Sequence, residues 1–114
     1  MRIGKVIGTV TPGRIHPLLV SGQFKIIRPF TFKDFKAAHN NGTISDGLKG
    51  ELVPTGEEIV AYDELSIGIG EWAAFSEGAE AAMPFYPNVK PIDAYAAAII
   101  DTMEIDQAEF GRLL

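Results

Sequence analysis

Five short runs of apolar and β-branched residues, separated by glycine and proline, organise this chain. Such runs, bounded by turn residues, are typical of β-strands. The alanines of the fifth run leave helix and strand equally open on pattern alone. The spacing predicts an all-β domain, a small barrel of five strands, because closing the sheet removes its exposed edges. The runs are Arg2–Val10, Gln23–Phe30, Glu57–Asp63, Glu71–Glu77 and Ala94–Asp101.

Helical signals occur in two places outside these runs. Thr31 with Asp34 three residues later has the form of a capped helix start. The apolar spacing between Ile105 and Leu114 predicts a short C-terminal helix. The remainder of the long connection from Thr31 to Gly56 is irregular, and its segments 40–42 and 45–47 are predicted to be turns.

Several of the predicted strands carry apolar residues on both faces. Val60 and Tyr62 share one face and Ala61 lies on the other, while Trp72 and Phe75 fall on opposite faces. A small barrel has room inside for only one set, so the other needs cover. Either a neighbouring subunit or the long connection and terminal helix could supply it. Tyr62, Trp72 and Phe75 are therefore the candidates for contact with a neighbouring subunit.

Composition narrows the class of protein. The 114 residues are predicted to form one domain, 1–114, with 46% hydrophobic and 22% charged residues. The formal net charge of -5 argues against a nucleic-acid partner, because phosphate binding requires clustered lysine and arginine. The absence of cysteine excludes disulfides and thiolate metal sites. No apolar run is long enough to cross a membrane, so we expect a soluble, cytoplasmic protein with no membrane partner.

No arrangement of residues indicates catalysis. His16 and His39 lack the spaced partners of a metal site and are expected to be surface histidines. Gly68 and Gly70 lack the third glycine of a dinucleotide fingerprint, so a tight turn explains them better. We therefore predict no catalytic residue, no metal site and no cofactor. Four aromatic residues could stack bases on a barrel surface, although without an interleaved basic patch: Phe24, Phe30, Tyr62 and Trp72.

An ordered set of motifs resembles the bacterial microcompartment vertex proteins, the EutN/CcmL family. The resemblance covers most of the chain except the Thr31 to Gly56 connection and the tail, and it supports a strand for the fifth run. Ser66-Ile67 departs from the family, which has a glycine-alanine pair there. The motifs are Met1–Val10, His16–Leu19, Gly22, Ile26–Pro29, Val60–Asp63, Ser66–Trp72, Ile92–Ala94 and Ala98–Asp101.

The resemblance implies an OB-type barrel assembled as a cyclic pentamer that caps the vertices of a microcompartment shell. It implies hexagonal shell proteins as partners, a location in the shell, and no enzymatic activity. A narrow axial opening is a further expectation, with a plain tight turn as the alternative role for its candidate lining. The competing interpretation is a monomeric OB-type module that binds an oligonucleotide or a peptide. The candidate lining residues are Ser66, Ile67, Gly68, Ile69 and Gly70.

Overall fold

The computed structural model describes residues 1–40, 54 and 56–114. Five strands close into a barrel in the order β1-β2-β3-β5-β4, which confirms the predicted fold class. Neighbouring strands are antiparallel except β3 and β5, which run parallel and pair at Tyr62 and Tyr95. The fifth run is thus a strand, in spite of its alanines. The strands are β1 (Arg2–Val10), β2 (Gln23–Pro29), β3 (Ile59–Asp63), β4 (Trp72–Glu77) and β5 (Ala94–Ile100).

Two α-helices and two 3-10 helices complete the described chain. Helix α1 spans Phe32–Asn40 and α2 spans Gln107–Arg112, while Pro17–Leu19 and Gly78–Phe85 are 3-10 helices. The predicted helix start is confirmed. The Asp34 carboxylate accepts a hydrogen bond from the Thr31 amide at 2.6 Å, and the Thr31 hydroxyl accepts one from the Asp34 amide at 3.3 Å.

The side chain of Asp106 caps α2 by accepting a hydrogen bond from the Glu109 amide at 3.0 Å. A short C-terminal helix is therefore confirmed, although it begins two residues later than the apolar spacing indicates. The predicted turn at 45–47 lies outside the described residues. So does the turn at 40–42 apart from Asn40, which ends α1.

The barrel interior combines a few large side chains with alanine. Phe75 is fully enclosed there, and Ile67 reaches this interior from the loop after β3. The alanines of β3, β4 and β5 are small enough to let the strands surround the large side chains without overfilling the interior. The buried set is Val6, Ile27, Ala61, Ile67, Ala73, Phe75, Ala94 and Ala96.

A second apolar cluster lies apart from this interior. Its buried members are Phe30, Ala38 and Trp72, with the Phe30 and Trp72 rings edge to face at 6.1 Å between centroids. Helix α1 and the tail after β5 supply its cover. The sequence left open whether a neighbouring subunit or the chain's own segments cover the second apolar face. For Trp72 the chain's own segments provide the cover. The partly buried residues that pack on the cluster are Ile3, Phe35, Ile100, Met103, Ile105 and Phe110.

Candidate subunit interface

The three predicted interface residues are all buried by their own chain. Tyr62 is 1% exposed, Trp72 4% and Phe75 0%. Phe75 lies in the barrel interior and Trp72 in the second cluster. Contact between these residues and a neighbouring subunit stays a prediction, but they would offer that neighbour almost no surface.

Tyr62 is enclosed by a cluster of aromatic side chains. Its ring lies 5.8 Å from that of Phe24, 6.4 Å from Phe85 and 6.5 Å from Tyr95, measured between centroids. Its hydroxyl is 3.1 Å from the Ser21 hydroxyl and accepts a hydrogen bond from the Lys90 ammonium at 3.4 Å.

The Lys90 ammonium also stands 4.4 Å from the Phe85 centroid and 5.0 Å from that of Tyr62, close enough for cation–π attraction to both rings. These contacts fasten the segment between β4 and β5 onto the outside of the barrel. Tyr62 therefore acts as an anchor within the subunit.

The loop after β3, which holds the candidate lining, is tied closely to the barrel. The buried Asp63 carboxylate accepts hydrogen bonds from the amides of Leu65 at 2.8 Å and Ile67 at 2.7 Å. The Gly70 amide donates to the Val6 carbonyl at 2.8 Å. Gly70 has φ +91 and Ser66 has φ +56, so both adopt the left-handed region that tight turns require.

These constraints divide the five lining candidates into two groups. Ile67 is 0% exposed and belongs to the barrel interior, so it cannot line an opening in this conformation. Ile69 is 68% exposed, and Ser66 and Gly70 are also exposed. Gly68 is half-buried under the Glu71 side chain, where a Cβ would lie 2.8 Å from Oε1. A lining role for the exposed members stays a prediction.

Exposed apolar residues lie on the strands and on the loop between them. Val60 on β3 is 51% exposed and Ile99 on β5 is 38% exposed. Leu65 and Ile69 project from the loop after β3. Sequence reasoning did not separate Val60 from Tyr62, because both occupy the same face of β3. Only the tertiary structure distinguishes them, because the segment after β4 covers Tyr62 and leaves Val60 exposed.

Charged residues join the strand ends to the segment before β3. The Arg2 guanidinium bonds to Glu57 at 2.8 Å and to Glu77 at 3.2 Å. The hydrogen bond that Arg2 donates to Glu57 raises the pKa of Arg2, and this effect together with the charge of Glu77 outweighs the lowering by burial. Arg28 pairs with Glu58. Burial and a hydrogen bond to Glu64 raise the pKa of the Tyr95 phenol, so it stays neutral near pH 7.

The described titratable and aromatic side chains can be compared with what a metal site or a base-stacking surface requires. Within the described residues, no three acidic or histidine side chains converge as a metal would require. His16 is exposed, as expected of a surface histidine, and caps Pro17–Leu19. His39 lies on α1 and is only half-exposed, because its ring packs on Phe110 at 5.3 Å between centroids. Three of the four candidate stacking aromatics, Phe30, Tyr62 and Trp72, are buried.

In the described part of the chain, no helix combines the length and apolar character needed to cross a bilayer. The charged and apolar surfaces described above belong to a small barrel with its own interior and a second, separately covered cluster.

The family model for EutN/CcmL, described as ethanolamine utilisation protein EutN/carboxysome, matches residues 1–101. The carboxysome shell vertex protein CcmL of Gloeobacter violaceus is 30% identical over 106 residues, which cover 93% of this chain and 88% of that protein. The CcmL of Thermosynechococcus vestitus is 32% identical over 106 residues, with 93% and 89% covered.

Solved structures agree with these relatives. The GrpN pentameric microcompartment shell protein of Rhodospirillum rubrum has a TM-score of 0.66 and 27% identity, and the match covers 93% of this chain and all of that one. The structure of Gloeobacter violaceus CcmL has a TM-score of 0.67 and 27% identity, with 94% and 92% covered.

Proposed function

Because the chain belongs to the EutN/CcmL family, we propose that five copies form a ring that closes a vertex of a bacterial microcompartment shell. The observation that carries this function is the match of residues 1–101 to the family, together with vertex-protein relatives aligned over nearly their whole length. The protein is a structural component located in the shell, not an enzyme.

A ring of identical subunits needs one heterologous interface, in which a surface of each subunit meets a different surface of the next. Most strand edges are already paired within the described barrel, the exception being the junction of β3 and β5, where only Tyr62 and Tyr95 pair. In this proposal the interface is made mainly by side chains. Val60, Leu65 and Ile99 are apolar residues that the isolated subunit leaves exposed, and they supply part of this interface.

The loop from Ser66 to Gly70 faces the axis of the ring in this proposal. Its exposed members, Ser66, Ile69 and Gly70, would line the opening, while Ile67 and Asp63 hold the loop in place from inside. A loop fixed by several backbone hydrogen bonds suits an opening of constant size. Five copies of Ile69 would make that opening apolar, which disfavours the passage of ions.

Hexagonal shell proteins are the proposed neighbours of the ring. A sheet of hexagonal tiles is flat, and twelve five-fold corners are what closes it into a polyhedron. The outer surface of the ring would then meet tiles of a different protein. The exposed apolar residues Met83, Tyr86 and Val89, which project from the segment between β4 and β5, are available for that contact.

The native mass of the purified chain tests the ring. We expect five times the 12.3 kDa subunit mass, by native mass spectrometry and by light scattering over a range of concentrations. A monomer at every concentration would contradict the proposal, and oligonucleotide and peptide binding would then be measured instead.

Co-expression with a hexagonal shell protein tests the vertex role separately. We expect closed particles in electron micrographs when this chain is present, and open sheets or tubes when it is omitted. A ring that forms but never alters the assembly of the hexagonal protein would refute the role at vertices while leaving the pentamer intact.

A further inference from the structure

The tail, residues 102–114, lies beyond the part of the chain that the family model matches, which ends at residue 101. It leaves β5 next to Trp72, because Ile100 is the strand partner of Trp72. It then packs on the second apolar cluster and includes α2. Nothing in the proposed ring or vertex role uses this segment.

Side-chain packing alone joins the tail to the rest of the described chain. Met103, Ile105 and Phe110 pack on the cluster, and all three stay partly exposed. The Phe110 ring lies 5.8 Å from that of Phe32 and 5.3 Å from that of His39, measured between centroids. Within the described residues, the hydrogen bonds and the ion pair of the tail join tail residues to one another. No polar contact therefore holds the tail on the barrel when this packing is lost.

Enclosed nitrogen atoms without a hydrogen-bond partner lie in the tail and beside it. They are Nε2 of Gln107 on α2, Nδ1 of His39, whose ring contacts Phe110, and Nε1 of Trp72 in the cluster. A buried polar group without a partner loses its hydration, which disfavours the state that buries it. Lifting the tail into water lets Gln107 and its neighbours bind water again, and this offsets part of the lost apolar contact.

Helix α2 is too short to be stable away from the barrel. It has six residues, whereas isolated helices shorter than about 12 residues are marginal in water. The Arg112–Glu109 pair adds little, because both side chains are largely exposed. Undocking and unfolding of the tail should therefore occur in one step. Among the described residues, the barrel interior contains no residue of the tail, so it does not depend on that step.

We propose that the tail is a strap that opens as a unit while the five strands stay folded, and that its opening uncovers one side of the cluster containing Phe30 and Trp72. Helix α1 stays in place in both states, since it follows β2 closely and Phe35 packs edge to face on Phe30 at 5.8 Å between centroids. The closed and open subunits thus present different surfaces on the same barrel.

Exchange of the Trp72 indole hydrogen with deuterium measures this opening in the full-length protein. Trp72 is the only tryptophan of the chain, so its indole gives a single NMR resonance. Its Nε1 is enclosed in the closed state, and exchange therefore requires an opening. The reference is the Val6 amide, which donates to the Glu71 carbonyl within the barrel. After correction for intrinsic rates, we expect the indole to exchange roughly a hundredfold faster or more, with a weaker dependence on urea.

Three substitutions in the tail have different expected effects on this exchange. Phe110→Glu removes the ring that contacts Phe32 and His39, so exchange should accelerate roughly tenfold or more while β structure and cooperative unfolding are retained. Leu113→Glu is the matched control on the same segment, because residue 113 is 70% exposed, and it should exchange as the parent does. Gln107→Met keeps the length of the side chain but removes its unpartnered nitrogen, so exchange should slow roughly fivefold or more.

The strap is refuted if the indole exchanges at the rate of the Val6 amide and with the same dependence on urea, because the cluster would then open only on global unfolding. Loss of the barrel in Phe110→Glu would also overturn the proposal, since the tail would then be required for the fold. Equal acceleration in Phe110→Glu and Leu113→Glu would overturn it as well, because docking through Phe110 would not be what keeps the strap closed.

Discussion

At the scale of single residues, Gly22 shows how closely the barrel and its outer segments approach each other. A Cβ at this position would lie 2.3 Å from Cε1 and 2.4 Å from Cζ of the Tyr62 ring. Real Cβ atoms are not found at such distances, so the ring would have to move. The Tyr62 ring can occupy its position only because residue 22 is a glycine and has no side chain. In that position Tyr62 contacts Phe85 and Lys90 and holds them on the barrel.

Gly22→Ala should consequently destabilise the subunit by about 1–3 kcal/mol, the usual cost of overpacking a filled site. The measurement is thermal or urea unfolding followed by circular dichroism, with near-UV ellipticity as a report on Tyr62. Gly13→Ala is the matched control, because a Cβ there meets nothing within 4 Å. Equal stability of the two variants would show that Tyr62 is free to move aside.

The sequence predicts the local structure around some residues, but not the burial of Ile67 or Lys25. Gly68 and Gly70, which follow Ile67, predict a turn correctly, but they do not say which side chain of the turn points inward, and Ile67 belongs to the core. Lys25 carries no sequence signal of burial, since a lysine on a strand normally faces solvent. Its position follows from the pairing of β2 with β1 and β3, which only the closed barrel defines.

At the scale of elements, α1 and the tail decide which strand face is available to a neighbour. The apolar runs bounded by glycine and proline located the five strands to within two residues, although for the fifth run the pattern left helix and strand equally open and only the family resemblance favoured a strand. The alternation within them showed that both faces were apolar, but not what covered each face. Helix α1 and the segment after β5 cover Trp72, and Phe85 and Lys90 cover Tyr62, through contacts that a linear pattern does not encode.

Two substitutions to glutamate distinguish an apolar residue that its own chain buries from one that a neighbouring subunit is proposed to bury. Trp72→Glu buries an unpaired charge in the second cluster, at a cost of several kcal/mol, comparable with the stability of a whole domain. We expect loss of cooperative folding. Val60→Glu changes a side chain that is 51% exposed in the isolated subunit, so we expect a folded chain with weakened assembly.

Circular dichroism and native mass spectrometry on the same samples provide both measurements. Val89→Glu is the control for Val60→Glu, because residue 89 is 79% exposed and lies on the segment between β4 and β5. It should neither unfold the chain nor dissociate the ring. A Val60→Glu protein that assembles as well as the Val89→Glu protein would remove β3 from the proposed interface.

At the scale of the whole molecule, the proposed function places the loop after β3 around a five-fold axis. The chain contains no cysteine, so a single introduced thiol reports on one position without background. In Ile69→Cys, the thiols of adjacent subunits should approach closely enough for a short bismaleimide to join them. We expect covalent dimers on a denaturing gel, at protein concentrations where the ring is intact.

Two further single-cysteine variants make this crosslinking experiment specific. Ile67→Cys should resist a maleimide until denaturant is added, because residue 67 is 0% exposed. Val89→Cys should react readily but yield few dimers if residue 89 lies away from the axis. Equal crosslinking of Ile69→Cys and Val89→Cys would contradict the proposed orientation of the loop.

The closed barrel has a consequence for how such a protein diverges over evolutionary time. A subunit that joined its neighbour by extending a sheet would bind almost any copy of the same fold, because backbone pairing is largely indifferent to sequence. In the proposed ring, recognition would reside mainly in side chains such as Val60 and Ile99, which can change one at a time without disturbing the fold. Duplicated genes could thus acquire separate, non-mixing rings through a few substitutions, while the barrel itself stays the same.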